Sequence, residues 1–407
     1  MKSPAAESPP DCVIRLQERN CENCGGSDLE QLWHQSFTAR TRSGNYIFDV
    51  NNVVCTNCGF VFVSPVFNEA DLTDYYASSF SAFADAAPDY DIARRLAFLD
   101  KVAPKGDLFV EVGANRPMEF HRRLKEIYGK VATVEINDSV SSDHRSLAAM
   151  PDACVDVVAH YFVLEHIPQV RKFLKECARV LRDGGVMVCE VPDILVYPQD
   201  PSALQLHEHT NHFSREVLHE LAEQAGLIEF SAGAEHCSRS FGFAAAFRKS
   251  ASVGARVAAA DQYRRNGELF LAGVRTLERS EAELDRSYRT FEDYQKCGAA
   301  VILWAANDVM ARFLGRCSGL GNATIVDSNP EKANVFRPRK VSTPDAVVDE
   351  IRKAEGIFIF TKFHAPAILE QIKSSLGKTF DSQTVYVIDP FGDRPINLEG
   401  GSGETHA

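Results

Sequence analysis

Hydrophobic and polar positions predict the clearest local structure around the stretch DLFVEVGAN, residues 107–115. Leu108 to Val112 are apolar apart from Glu111, and they lead into Gly113 and then into the helical pattern MEFHRRLKEIYG. An apolar run of strand length that ends in an acid and a glycine, followed by a helix, is typical of the first βα unit of a nucleotide-binding fold. A small residue suits the turn because a ligand must approach the backbone closely there.

The same alternation of strand and helix patterns continues along the chain. A helical pattern over 91–104 precedes the first strand, and VATVEIN, VDVVAHYF and VMVCEVPD are further apolar strands. The helix RKFLKECARVLRDGG separates the last two, a helix over 216–226 is capped by Ser214, and LIEFSAG and FGFAAAFRK are closing antiparallel strands. Short loops between alternating strands and helices predict an α/β fold with a Rossmann-like, doubly wound parallel sheet.

The pattern also divides the chain into parts. We expect a small module and connecting loop over 12–90, the α/β core over 91–250, a charged helical connector over 251–296, and a second α/β domain over 297–398. The remaining segments, 1–11 and 399–407, are rich in Pro, Ser and Gly and are predicted to be flexible tails.

Composition and net charge limit the classes of function that we expect for this chain. With 407 residues, 45% apolar residues and 25% charged residues, the chain is ordinary for a globular protein of two to three domains. A net charge of −12 disfavours nucleic-acid binding, because phosphate contacts need clustered Lys and Arg. For the same reason it disfavours a zinc ribbon that binds nucleic acid. The chain has neither a long apolar span nor a hydrophobic signal core, so we expect a cytoplasmic protein without membrane partners, as a monomer or a homodimer.

Four of the eleven cysteines form two close pairs. Cys21 and Cys24 stand in CENCG, and Cys55 and Cys58 stand in CTNCG. Paired cysteines with two-residue gaps, each followed by a glycine, are the pattern of a four-thiolate zinc site. Four protein ligands leave no open position on the metal, so the predicted Zn²⁺ is structural.

Taken together, EVGAN, VEIN, VDVVAHYFVLEHI, RVLRDGG and VMVCEVPD resemble, in order and spacing, the class I S-adenosylmethionine-dependent methyltransferases. This resemblance covers residues 91–248 and implies S-adenosylmethionine as cofactor. It implies that Glu111, Gly113 and Asn115 border the methionine moiety, that Glu135 holds the ribose, and that His160 lies along the cofactor. Glu135 also stands about twenty positions after the glycine turn, where an acid accepts hydrogen bonds from ribose hydroxyls.

Two departures concern cofactor binding. The turn carries one glycine where two or three are usual, and only a short segment separates Glu135 from Asp156. That segment must cover the adenine, with Asp143 as a candidate contact. Both departures favour an alternative in which the protein is a catalytically degenerate, methyltransferase-like binding protein.

The order of zinc module, methyltransferase and second α/β domain is similar to that of sugar C-methyltransferases acting on nucleotide-linked keto-deoxysugars. The resemblance implies a small-molecule substrate of this class and a Glu-His pair that carries the base, which falls on Glu208 and His209. The tyrosine that precedes this pair in the family is Leu206 here. By the same resemblance, His166 of LEHIP and Tyr76 are the other catalytic candidates.

Histidine titrates near working pH, and a neighbouring carboxylate raises its basicity. His209, with Glu208 as partner, is therefore a candidate base for removing a proton beside a ketone, so that the resulting enolate attacks the methyl group. Deprotonation of a hydroxyl, which would give O-methylation, needs the same base and stays an alternative. The loop LQLHEHTNHFS by itself is a poor metal site because neighbouring side chains on an extended loop diverge.

Overall fold

The computed structural model describes residues 11–40, 45–78, 89–103, 105–114, 119–137, 141–250, 261–330, 332, 339–361, 364–376, 384–388 and 396–397. Both predicted flexible tails lie almost entirely outside the described residues, as does Asn115. The chain divides into two compact units, Met1–Val274 and Arg275–Ala407.

The first unit begins with a small β module. Its elements are β1 (Asp11–Val13), β2 (Leu16–Gln17), β3 (Leu29–Arg40), β4 (Asn45–Cys55), β5 (Val61–Val63), β6 (Val66–Phe67) and the helix α1 (Glu69–Ser78). β3 and β4 pair as a long hairpin. Buried and half-buried positions alternate over most of β4, which is the period of a strand with one face in a core.

An α/β core follows in the same unit. Its elements are α2 (Asp89–Val102), β7 (Leu108–Val112), α3 (Glu119–Leu124), β8 (Lys130–Val134), β9 (Val155–Tyr161), α4 (Val170–Val180), β10 (Leu181–Pro192), β11 (Asn211–His212), α5 (Arg215–Gln224), β12 (Leu227–Gly233) and β13 (Gly242–Lys249). The sheet order is β12-β13-β10-β9-β7-β8. The four strands from β10 to β8 run parallel to one another. β13 is antiparallel to both of its neighbours, β10 and β12, so β12 runs in the same direction as the four parallel strands. The antiparallel pairing of β12 with β13 agrees with the expectation for the two closing strands.

Burial on both faces explains why these strands are nearly continuous apolar runs. Every residue of β9 is buried, and α4 covers one face of the sheet with Val170, Leu174 and Cys177. Asp156 of β9 is buried as well, and its Oδ2 accepts hydrogen bonds from the backbone N–H groups of Asp107 and Leu108, at 2.7 and 2.8 Å. These bonds fix where β7 begins, next to β9.

One predicted element differs in the structure. The helix expected over MEFHRRLKEIYG ends at Leu124, because the chain then tightens into turns in which Glu126 and Ile127 donate to carbonyls three residues back. The short segment after β8 contributes a bridge between Val134 and His144. β8 is the edge strand of this sheet.

The β module and the α/β core share a sheet. β11, which belongs to the core by sequence, pairs antiparallel with β5 in the order β1-β4-β5-β11. The buried Arg19 guanidinium adds a second connection, donating to the carbonyls of Val63, Pro168 and Thr210 at 2.6–2.9 Å. Desolvation lowers the pKa of Arg19 to about 10.

The second unit contains another α/β sheet, as the sequence predicts. The long helix α6 (Gln262–Lys296) is followed by β14 (Val301–Trp304), α7 (Asp308–Gly315), β15 (Ala323–Val326), β16 (Val341–Ser342), α8 (Val348–Lys353), β17 (Gly356–Ile359), α9 (Ala365–Leu376), β18 (Thr384–Val387) and β19 (Ile396–Asn397). The order is β16-β15-β14-β17-β18-β19, and only β19 is antiparallel to its neighbour.

Candidate active site

A cavity of about 280 Å³ lies beyond the carboxyl ends of β7 and β8. Apolar side chains form much of its lining, and Glu135 and Arg145 stand among them. The lining residues are Glu69, Val112, Gly113, Val134, Glu135, Ile136, Arg145, Ser146, Leu147, Val163, Ile167, Gln169, Lys172, Phe173 and Glu176. Ligands of doubly wound sheets bind in this position, outside the carboxyl ends of the parallel strands.

Gly113 forms the turn at the end of β7. Its φ of +71° lies in the left-handed region, and a Cβ placed there would come 2.4 Å from Cγ2 of Val163. Its backbone N–H donates to the carbonyl of Val134 at 2.8 Å. A side chain is therefore excluded by both conformation and space, and the backbone itself lines the cavity.

Glu135 directly follows β8 and also lines the cavity. Its Oε1 accepts a hydrogen bond from the backbone N–H of Asn137 at 3.0 Å, and Arg145 donates to its carbonyl at 3.1 Å. The structure thus brings Gly113 and Glu135 to one cavity, and their roles at the methionine end and at the ribose stay predictions.

Three other predicted cofactor residues are absent from the lining of this cavity. Glu111 is buried, and its Oε2 lies 2.8 Å from Nε2 of His121 of α3. Asp143 accepts hydrogen bonds from the backbone N–H and the hydroxyl of Thr133 at 2.8 and 3.1 Å. His160 is fully buried against the edge of the Phe173 ring, and desolvation lowers its pKa to about 3.

The turn LEH connects the cavity with the predicted catalytic residues. Residues Leu164–His166 form one turn of 3₁₀ helix, and the residues on either side of it, Val163 and Ile167, line the cavity. Thr210 donates its backbone N–H to the carbonyl of Glu165 at 2.7 Å. The segment that carries His209 is therefore fastened directly to this turn.

His166 and His209 lie together beyond the turn. Their ring centroids are 4.7 Å apart with the planes at 81°, and the hydroxyl of Tyr76 lies 3.4 Å from Nδ1 of His166. His209 is only 4% exposed, and its Nδ1 has no hydrogen-bond partner among the described residues. Three of the four predicted catalytic side chains thus form one cluster.

Glu208 points to a different part of this region. Its Oε1 accepts a hydrogen bond from the hydroxyl of Tyr75 at 2.6 Å and lies 3.4 Å from Nε2 of His207. The structure therefore places Glu208 against Tyr75 and His207 rather than against His209.

Sequence reasoning missed a carboxyl group that lies beside the two imidazoles. Glu165 is fully buried, and one of its carboxyl oxygens lies within 4.8 Å of one ring nitrogen each of His166 and His209. The sequence signal for Glu165 as a candidate site residue was its position between Leu164 and His166 in the LEH motif. Only the histidine of that motif was predicted to be a site residue.

Burial dominates the proton affinities in this cluster. Desolvation lowers the pKa of His209 well below its ordinary value, and the neighbouring His166 and His212 add to the effect. Desolvation likewise lowers the pKa of His166 and raises that of Glu165 to about 8. The pKa of Tyr76 is raised by desolvation and by the carboxylates of Glu208, Glu165 and Glu135, the last of which lines the cavity. His209 is therefore a neutral imidazole at neutral pH, with a lone pair available.

The four paired cysteines come together in the β module. Their sulfur atoms all lie within 4.8 Å of one another, with 3.5 Å between Cys21 and Cys58 and 3.4 Å between Cys24 and Cys55. Tetrahedral zinc with Zn–S bonds of about 2.3 Å requires S···S distances of roughly 3.8 Å, so small shifts suffice. Gly25 and Gly59 have φ values of +76° and +73°, which lets each knuckle turn back on itself.

Comparison with known proteins identifies the α/β core. Residues 116–189 match the family model of a methyltransferase domain. A protein of Mycolicibacterium smegmatis named "Probable S-adenosylmethionine-dependent methyltransferase" is 36% identical over 96 residues, which are 23% of this chain and 37% of that protein. A protein of Mycobacterium tuberculosis with the same description is 32% identical over 80 residues, 20% of this chain and 29% of that protein. The chain thus spans about a third of the length of these curated relatives.

Solved structures give weaker matches. The methyltransferase in complex with the Trm112 activator from Haloferax volcanii has a TM-score of 0.37 and 15% identity, covering 44% of this chain and 98% of that chain. An S-adenosylmethionine-dependent methyltransferase from Mesorhizobium loti has a TM-score of 0.33 and 13% identity, covering 39% of this chain and 99% of that chain.

The family model matches a methyltransferase domain within the α/β core, and this core has a Rossmann-like fold and resembles the named S-adenosylmethionine-dependent methyltransferases. The part of the chain that the structure describes contains no helix that is both long and apolar enough to span a membrane.

Proposed function

We propose that this protein transfers a methyl group from S-adenosylmethionine to a carbon atom of a nucleotide-linked keto-deoxysugar, with His209 as the base. The observation that carries the proposal is the joining of the 280 Å³ cavity to the His166–His209 cluster through the single turn 164–166. The three-part order of zinc module, methyltransferase and second α/β domain supports the choice of substrate.

The residues around the cavity fit the cofactor. The bare backbone at Gly113 leaves room for close approach, the apolar walls at Val134 and Leu147 suit a purine, and Glu135 offers carboxylate oxygens for ribose hydroxyls. When bound, S-adenosylmethionine supplies an electrophilic methyl group on a sulfonium centre.

The chain's own residues would carry out the proton transfer. Neutral His209 would take the proton from the carbon beside the ketone, and the electron pair of that C–H bond would form the enolate. The enolate carbon would accept the methyl group as the methyl–sulfur bond breaks, with its electron pair left on sulfur as a neutral thioether. Tyr76, whose raised pKa keeps its hydroxyl protonated, contacts His166 and can donate a hydrogen bond to the enolate oxygen. Glu208 holds Tyr75, and so positions α1 over the site rather than acting on His209.

We also propose that Cys21, Cys24, Cys55 and Cys58 bind one structural Zn²⁺. The four sulfur atoms support this assignment, because they all lie within 4.8 Å of one another, close to the spacing of four thiolate ligands around a tetrahedral zinc ion.

The test separates proton removal from methyl transfer. A panel of nucleotide-linked keto-deoxysugars is incubated with the protein in D₂O without S-adenosylmethionine, and exchange of the hydrogen beside the ketone is followed by NMR. We expect exchange with the natural protein and a loss of roughly 10²–10⁴-fold in rate for His209→Ala. Calorimetry should give the same affinity for S-adenosylmethionine in both proteins.

Three results would count against the proposal. Undetectable binding of S-adenosylmethionine would remove the enzymatic function, and unchanged exchange in His209→Ala would remove this residue as the base. Methyl transfer without any exchange would instead favour O-methylation, because a hydroxyl group is deprotonated without touching the C–H bond.

A further inference from the structure

Glu165 is an unusual residue for the interior of this fold. Its side chain is fully buried, and neither carboxyl oxygen has a hydrogen-bond partner among the described residues. Burying a polar group without a partner costs on the order of several kcal/mol, and a buried charge costs more. A group with this cost is expected to have a partner that supplies positive charge.

Two further electron-pair donors lie next to it. One donor atom from each of Glu165, His166 and His209 can be chosen so that all three lie within 4.8 Å of one another. Nδ1 of the buried His209 is unpartnered among the described residues, like the Glu165 oxygens. These atoms come from two segments, the LEH turn and the 207–209 loop, which hydrogen bonds from Thr210 hold together.

We propose that Glu165, His166 and His209 form a second metal-ion site, for a divalent transition metal such as Zn²⁺, separate from the four-cysteine site. Two imidazoles and one carboxylate are a donor set that divalent zinc and related ions accept, whereas thiolates form the softer site in the β module. A metal ion at this position would supply a positively charged partner for the carboxyl oxygens of Glu165 and for Nδ1 of His209.

The surroundings suit metal ligation. The ring of His209 is hydrogen-bonded to the backbone of Ala203. The ring of His166 is hydrogen-bonded to the backbone of Glu208. Metal-binding histidines characteristically donate their second ring N–H to such groups, which fixes the ring orientation. With metal–ligand bonds of about 2.0–2.2 Å, the donors need to approach to roughly 3.3–3.6 Å, a side-chain movement of about an ångström.

This site goes beyond the proposed function and competes with it. The base uses the imidazole lone pair of His209, and the metal takes an electron pair from the same ring. An ion bound at this site would therefore inhibit proton removal rather than support it.

Cobalt(II) titration of the full chain, purified with its cysteine site filled by zinc, tests the proposal. Cobalt bound to nitrogen and oxygen ligands gives weak visible bands without the thiolate charge-transfer absorption of a cysteine site. We expect one equivalent of cobalt to bind with such a spectrum. Glu165→Gln and His209→Gln should each weaken this binding by on the order of 100-fold or more.

The control is His219→Gln, which removes a half-exposed histidine beside Glu223 and Glu229 and should leave cobalt binding unchanged. No binding to the natural protein, or equal binding to Glu165→Gln and His209→Gln, would overturn the second metal site. Because cobalt binding is measured without substrate, its failure leaves the proposed methyl transfer intact, and the absence of methyl transfer leaves the metal result intact.

Discussion

At the scale of single residues, Gly113 is under two separate constraints. One is conformational, since its φ of +71° is costly for any residue with a Cβ. The other is steric, since Cγ2 of Val163 occupies the space of that Cβ. Gly184 shares only the first constraint, because its φ is +73° and a Cβ added there would meet no described atom within 4 Å.

Gly113→Ala is expected to weaken S-adenosylmethionine binding and to lower the free energy of unfolding. Backbone strain alone costs about 1–3 kcal/mol, and displacement of Val163 into the cavity adds to it. Urea unfolding and calorimetry with S-adenosylmethionine measure the two effects.

Two further variants separate the causes. Gly184→Ala should show the strain cost alone, with cofactor affinity unchanged. Val163→Ala combined with Gly113→Ala should recover part of the lost affinity, because it removes the methyl group that the new Cβ meets. Equal affinities for Gly113→Ala and the natural protein would show that this turn does not border the cofactor.

Residues of the candidate sites could be predicted from the sequence only where they stand in a recognisable motif. The cysteine spacing pointed to all four sulfurs that converge, and Gly113 and Glu135 followed from strand ends. The approach of Glu165 to His209 and the contact of Tyr75 with Glu208 could not be predicted in this way, because the two residues of each pair stand 44 and 133 positions apart in sequence and no local pattern encodes such contacts.

At the scale of elements, the segment that carries His209 is held by side-chain bonds rather than by regular structure. The amide of Asn211 donates to the carbonyls of Leu164 and Ile167 at 3.2 and 2.8 Å, and its oxygen accepts from Arg19 at 3.1 Å. These bonds join the 207–212 segment to the turn that borders the cavity.

Asn211→Ala is expected to destabilise the protein by about 1–3 kcal/mol, because it leaves buried partners unsatisfied. It should also lower methyl transfer by shifting His209. Urea unfolding and steady-state kinetics are the measurements.

Ser214→Ala is the matched control from the next turn. Its hydroxyl accepts from the backbone N–H of Val217 and caps α5, as the sequence predicts. Loss of this cap should cost about 0.5–2 kcal/mol with little change in turnover. If the two variants lose turnover in proportion to their stability, Asn211 would have no special role in positioning the site.

Helices and strands could be predicted well where the apolar period was strong, as in β7, β9, β10 and α4. Prediction failed where side-chain periodicity continued past the end of the element. The helical pattern extends to Gly129, but the backbone turns after Leu124, and only tertiary packing decides that.

At the scale of the whole molecule, zinc is expected to contribute to the stability of the first unit. Removing a ligand by Cys55→Ser should abolish binding of the structural zinc and lower the melting temperature, because metal binding and folding are coupled. Native mass spectrometry and calorimetric melting measure both. Cys154→Ser, which changes a half-buried cysteine outside the cluster, is the control. A folded Cys55→Ser protein with unchanged melting would contradict a structural metal.

The sequence indicated a zinc module followed by a methyltransferase core, but not how closely they are joined. The pairing of β5 with β11 connects residues about 150 positions apart, namely Phe62 with Asn211 and Val61 with His212. Two-residue strands carry no detectable period, so this contact is visible only in three dimensions.

The shared strand pair has a consequence for how this protein can be divided. β11 follows His209 by one residue, and β5 follows Cys58 by two, so the knuckle and the histidine segment are neighbours across one ladder of hydrogen bonds. A shortened chain starting at residue 91, where the methyltransferase core begins by sequence, would leave the backbone of β11 unpaired and open to another edge strand. We therefore expect the α/β core to fold intact only when it is expressed together with the cysteine module.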